Sequence, residues 1–128
     1  MMTRPWNEIV ARYEAYDGEH RSIRALASLA RRIRESQLGK GLFAWTSMFD
    51  LCIVRTEVSY PYDGPFLRLS PVSDHRVEFR YIDTHDKAQQ WHRTDEAEEA
   101  FPRLLKFLDQ LRWLPAEVLQ SIGSDDRP

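Results

Sequence analysis

Val77, Phe79 and Tyr81 alternate with Glu78 and Arg80, a period of two that turns one face of a strand to a core and the other to water. The preceding run, Phe66-Leu67-Arg68-Leu69-Ser70, joins it through Pro71-Val72-Ser73-Asp74, so the pair predicts an antiparallel hairpin with a solvated outer face. Upstream, residues 42–48 are rich in aromatic and β-capable side chains. Leu51-Cys52-Ile53-Val54 is wholly apolar and suits burial on both faces, which places Phe49-Asp50 at the turn between two further strands. Tyr60-Pro61-Tyr62-Asp63-Gly64-Pro65 interrupts this pattern. Its prolines and Asp-Gly pair oppose ladder bonding and favour a loop that displays two tyrosines. Asp83-Thr84-His85-Asp86 then leads to a fifth strand expected over residues 89–94.

The period changes to that of helices at both ends. Trp6, Ile9, Val10 and Tyr13 follow Pro5 at three- and four-residue spacing, predicting a helix capped by Thr3 and ended by Gly18. A second helix is expected over residues 19–37, stopped by Gly39. Ile23, Leu26, Ala27, Ala30 and Ile33 form its inner stripe, and Arg21, Arg24 and Arg31, with Arg32 and Arg34 to one side, its outer face. Near the other end, Phe101, Leu104, Leu105, Leu108 and Leu111 form an inward stripe that Trp113 to Pro115 closes. Pro102 means that this last helix either starts there, after an acidic turn, or kinks there. The expected fold is α+β: an antiparallel sheet of four to five strands, two N-terminal helices and one C-terminal helix. Residues 1–122 make one domain and residues 123–128 a disordered tail.

Composition narrows the possible functions. A chain of 128 residues can close a single core without staples, and its one cysteine, Cys52, cannot form an internal disulfide. With no signal-like opening and no apolar run long enough to span a bilayer, the expectation is a cytoplasmic protein with no membrane contact. A formal charge of −2 argues against a dedicated duplex-DNA binder. The charge is uneven, however. Residues 1–40 carry 8 Lys and Arg against 5 acids, and residues 95–128 carry 4 against 8.

Each candidate site has a structural reading beside the chemical one. Asp83, His85, Asp86 and His92 offer two carboxylates and two imidazoles for a metal or an acid–base pair, but the same residues are ordinary turn formers. Cys52 lies in an apolar run where a thiol is inert, and no Gly-x-Ser-x-Gly elbow or phosphate loop is present. No catalytic residue, metal or cofactor is assigned. The arginine face of the second helix could track a phosphate backbone, or could be a solvated face paired with acids. Asp95, Glu96, Glu98 and Glu99 suit a helix start, yet one acid is surplus to that purpose; with Tyr60 and Tyr62 they form a candidate surface for a basic protein partner. The tyrosines could equally pack under their own loop. Trp6 and Trp113 fall on apolar helix faces, whereas Trp45 and Trp91 lie on strands and fit either side.

With Leu42-Phe43-Ala44-Trp45 and Val77-Glu78-Phe79-Arg80-Tyr81 in a small sheet, two helices before it and a leucine-rich helix after it, the chain resembles the small cytosolic bacterial proteins of immunity-protein type. It is also similar to uncharacterised bacterial families of the same size. The first resemblance implies a non-enzymatic protein-binding module that neutralises a toxin by occlusion, with a homodimer through the open sheet face compatible with it. The alternatives are an enzyme using the Asp83 to His92 segment and a nucleic-acid binder using the arginine helix.

Overall fold

Five strands form one antiparallel sheet in the order β1-β2-β3-β4-β5, each beside its neighbour in the chain: β1 Phe43–Ser47, β2 Asp50–Val54, β3 Phe66–Pro71, β4 Arg76–Ile82 and β5 Trp91–Glu96. These come from a computed structural model that describes residues 2–16 and 20–125. The helices are α1 Trp6–Glu14, α2 Arg21–Glu35, the one-turn α3 Leu38–Gly41, α4 Ala100–Leu111 and α5 Ala116–Asp125. The fold is therefore α+β with helices at both ends of the chain, and no helix among the described residues is long and apolar enough to cross a membrane.

Alternation in the strands decides which face the helices cover. Leu51, Ile53, Leu67, Leu69, Val77 and Phe79 point to one side and are fully buried there, with Tyr81 and Trp91 half-buried beside them. α2 lays Ile23, Leu26, Leu29, Ala30 and Ile33 on this layer, and α4 adds Phe101, Leu104, Phe107 and Leu108. Phe107 is the central contact. Its ring meets Phe79 edge-on at 5.1 Å and Trp91 at 4.5 Å, geometries that aromatic quadrupoles favour. Trp6 and Trp113 are in the core, and Trp6 donates its indole N–H to the Leu42 carbonyl at 2.9 Å, so its burial leaves no polar group unmet.

Several boundaries differ from the sequence reading. Pro5, not Thr3, occupies the cap position of α1, while Thr3 turns its hydroxyl to the Val58 amide. Gly18 lies outside the described residues. Gly39 does not stop α2. That helix ends at Glu35, and Gly39 sits inside α3, where a Cβ would come within 2.8 Å of the Ile33 carbonyl oxygen. Met48 and Phe49 form the β1–β2 turn and Asp50 belongs to β2; Met48 takes φ 57°, a left-handed conformation that side chains disfavour. β5 begins at Trp91, after a short 3₁₀ turn over Lys87–Gln89.

The single C-terminal helix is corrected to two. Pro102 sits in the first turn of α4, where its missing N–H costs nothing, and Arg112 ends that helix in the left-handed conformation with the Trp113 amide returning to the Leu108 carbonyl. α5 then runs to Asp125, so residues 123–125, expected in a disordered tail, are helical; residues 126–128 lie outside the described residues.

Candidate functional site

The other face of the sheet has no described helix packed on it, and register sorts its side chains into rows. Phe43 beside Val54 and Phe66 beside Ile82 make an apolar row at one end. Next, Trp45, Cys52, Arg68, Arg80 and His92 stand opposite one another across all five strands. A third row is polar, with Ser47 beside Asp50 and Ser70 beside Glu78 and Thr94. The face thus grades from greasy to charged within one strand length.

Like charges directly opposite are unfavourable, so the neighbouring Arg68 and Arg80 need counterions. Arg68 Nε donates to Asp50 Oδ2 at 2.6 Å, a charge-assisted bond between side chains only 27% and 19% exposed. Arg80 Nε lies 3.3 Å from Glu78 Oε1 without the alignment of a hydrogen bond, and it and the Ser70 hydroxyl are buried with no hydrogen-bond partner among the described residues. The apolar end is finished by the β2–β3 loop. Tyr62 donates to the Pro65 carbonyl at 2.8 Å and meets Trp45 edge-on, and Trp45 in turn packs on Phe66 at 5.2 Å. Tyr60, on the same loop, is 85% exposed.

The tyrosines and the acids of the expected partner surface are not brought together. Tyr60 and Tyr62 precede β3, at the sheet end marked by Phe66 and Ile82, whereas Asp95 and Glu96 pair with Val77 and Arg76 at the opposite end, about 20 Å away along a seven-residue strand. The acids also have internal duties. Asp95, only 10% exposed, is held by Arg93 and Arg103; Glu96 pairs with Arg76 at 3.4 Å and Glu98 with Arg21 at 3.6 Å. Glu99 is exposed beyond them.

The other candidates disperse as well. Asp83 accepts the His85 and Asp86 amides as a turn residue, His85 lies 3.4 Å from Asp63, and His92 stands on the open face opposite Arg80. No group of three or more His, Cys, Asp or Glu is placed to hold a metal among the described residues. On the arginine helix, Arg21 also bridges to Asp74, Arg31 to Glu14 and Arg34 to Glu35. The Arg21 amide bonds the Asp74 carboxylate and holds it below its ordinary range, which ties the β3–β4 turn to the start of α2.

Cys52 is fully buried within the open-face row, and burial pushes its thiol up to about 12; Arg68 and Arg80 pull the other way and Asp50 adds to the rise. Burial likewise pushes the Tyr13 phenol, which donates to the Phe49 carbonyl, far above its ordinary value. The thiol of an unfolded chain titrates near 8.5, so above that pH the unfolded chain sheds a proton that the folded one keeps. The thiol's contribution to stability will be flat below about pH 8 and fall as pH rises toward 12, by up to roughly 1.4 kcal/mol per pH unit, with Tyr13 adding to the loss above about pH 10. Urea midpoints at pH 8 to 11 test this, and Cys52→Ala is expected to flatten the first part of the fall.

Fold and site together define a two-layer α+β protein whose sheet is sealed by helices on one face and presents an aromatic-to-charged gradient on the other. Comparison with protein-family models, curated proteins and solved structures finds no match to this chain.

Proposed function

We propose that the chain is a non-enzymatic protein-binding module that engages its partner through the open sheet face and acts by occlusion, as the resemblance to immunity proteins implies. The observation that carries this is the adjacency of Trp45, Phe66, Arg68 and Arg80 on a face with no described helix packed on it. Tryptophan and arginine are the side chains most often found where binding energy concentrates, and a rigid sheet presents them at little entropic cost. Arg80 Nε and the Ser70 hydroxyl supply donors without a hydrogen-bond partner among the described residues, and Tyr60 extends the aromatic edge. The acids at the far end contribute less than their number suggests, because arginines already neutralise three of them. The partner surface is accordingly of mixed polarity, not simply basic.

A partner recovered from native lysate should bind the Trp45→Ala, Arg80→Ala variant at least about tenfold more weakly than the parent, a loss of about 1.4 kcal/mol. Lys106→Ala, on the exposed side of α4, should leave binding unchanged. Equal affinity of parent and open-face variant for every recovered partner would refute the assignment.

A further inference from the structure

The two outer strands of the sheet end differently. At the β1 edge the Arg4 amide donates to the Ala44 carbonyl at 2.8 Å, so the N-terminal segment takes up part of that strand. β5 forms the other edge, and its His92, Arg93, Thr94 and Glu96 are exposed. One bond fixes the phase of this strand. The Ala97 amide donates to the His75 carbonyl, and this pair continues the register in which Asp95 faces Val77, so Asp95, Arg93 and Trp91 exchange their bonds with β4. The backbone groups of His92, Thr94 and Glu96 therefore point away from the sheet. Glu96 caps the following 3₁₀ turn, which commits its carbonyl. Its amide, and both groups of His92 and Thr94, have no backbone partner among the described residues.

An edge of this kind is a template for another strand, and charged side chains ordinarily discourage the pairing. Those of β5 instead select one register of self-pairing. With β5 antiparallel to a copy of itself and Thr94 opposite Thr94, Arg93 faces the copy's Asp95 and His92 the copy's Glu96, each twice. A slip of two residues sets Arg93 against Arg93 in one direction and Asp95 against Asp95 in the other. A slip of one turns helix-covered side chains against open-face ones. The Thr94 register also matches the bond phase. Thr94 exchanges two backbone bonds with its counterpart, the Glu96 amide reaches the copy's His92 carbonyl at each end, and Arg93 and Asp95 fall at the closer, non-bonded positions.

We propose that β5 pairs with β5 of a second copy of this chain, antiparallel and centred on Thr94, to give a two-fold dimer with one continuous sheet. Both helix layers then lie on one side and both open faces on the other. The pairing leaves the open face uncovered, and it does not depend on the protein-binding reading.

Sedimentation equilibrium of the full chain should show a dimer at about 500 µM and a monomer at about 1 µM, because one strand pair buries less than a standard interface. Thr94→Pro removes the central outward amide without touching a bond to β4, so it should abolish the dimer and keep the parent's thermal midpoint. Arg93→Asp, which sets acid against acid twice, should weaken association at least about tenfold. Thr94→Cys brings two thiols across the axis at a Cα spacing of about 5.5 Å, which a disulfide spans, so mild oxidation should link the copies. His92→Cys, also exposed and on the same face, stands opposite Glu96 and should stay unlinked; the buried Cys52 does not compete. The cross-link keeps the test readable if Thr94→Pro does not fold. A parent that is monomeric at the higher concentration, a dimer that survives Thr94→Pro, or equal linking of Thr94→Cys and His92→Cys would overturn the proposal.

Discussion

Replacing Phe79 by alanine will remove about 3–5 kcal/mol of stability, out of a total of roughly 5–15 kcal/mol for a domain of this kind. Phe79 is fully buried on the helix-covered face, flanked by Val77 and Tyr81 along β4 and opposite Leu69, and its ring rests against Phe107 of α4. Truncation loses the transfer energy of the ring, the edge-to-face contact and the packing of the atoms that lined it. The surroundings cannot close the gap, because the ring is wedged between the sheet and a helix fixed by Phe101, Leu104 and Leu108. Phe66→Ala is the control: the same chemistry on the open face, where the ring is half-buried against Trp45, should cost less than about 2 kcal/mol. Urea unfolding monitored by tryptophan fluorescence reads both, with an unchanged slope showing that the midpoint shift reports stability. Equal costs for the two variants would mean that the sheet does not have the sidedness described.

That sidedness was legible in the sequence, because a period of two is imposed by the pleat itself and survives whatever packs on top. The inward Val77 and Phe79 of β4 follow from that period, and the stripes of α2 and α4 from the corresponding helical one. Boundaries were less legible where tertiary contacts set them. The close approach of Gly39 to the Ile33 carbonyl is a packing constraint, so glycine there signals contact between α2 and α3 instead of a helix stop. Pro102 allowed two readings by local chemistry alone. The short 3₁₀ turn at Ala97–Glu99, whose first amide bonds the His75 carbonyl, decides in favour of a new helix.

The site was legible in its residues but not in its grouping. Trp45 fitted either face because its strand alternates imperfectly, and only the pairing of β1 with β2 puts it in one row with Cys52, Arg68 and Arg80. The signal that could have found this row was already present: once Leu67, Leu69, Val77 and Phe79 point inward, Arg68 and Arg80 must point outward side by side. The acidic cluster misled for the opposite reason. Proximity in sequence suggested a common surface, but β5 turns Asp95 inward toward Arg103 and Glu96 outward toward Arg76, and strand direction carries both away from the tyrosine loop.

The paired arginines of the open face lead to the second large effect. Asp50→Asn should destabilise the protein by about 2–3 kcal/mol, at the lower edge of what breaking a buried ion pair costs because both partners keep some exposure. The loss has two parts. The 2.6 Å charge-assisted bond to Arg68 weakens, and Arg68 then faces Arg80 across the strands with only Glu78 to balance both. Glu78→Gln should cost less than Asp50→Asn, since its contact with Arg80 is longer and unaligned. Adding Arg68→Met to Asp50→Asn should restore most of the lost stability, because the uncompensated charge is then gone and the methionine can cover Cys52. Thermal or urea unfolding of the four proteins closes the double-mutant cycle. Recovery in the double variant also separates stability from recognition: a chain that folds as well as the parent but lacks the charged ladder should still bind its partner more weakly if Arg68 and Arg80 act together in recognition. Additive losses, with no rescue by Arg68→Met, would show instead that Asp50 supports the β1–β2 hairpin directly and that the two arginines tolerate each other without it.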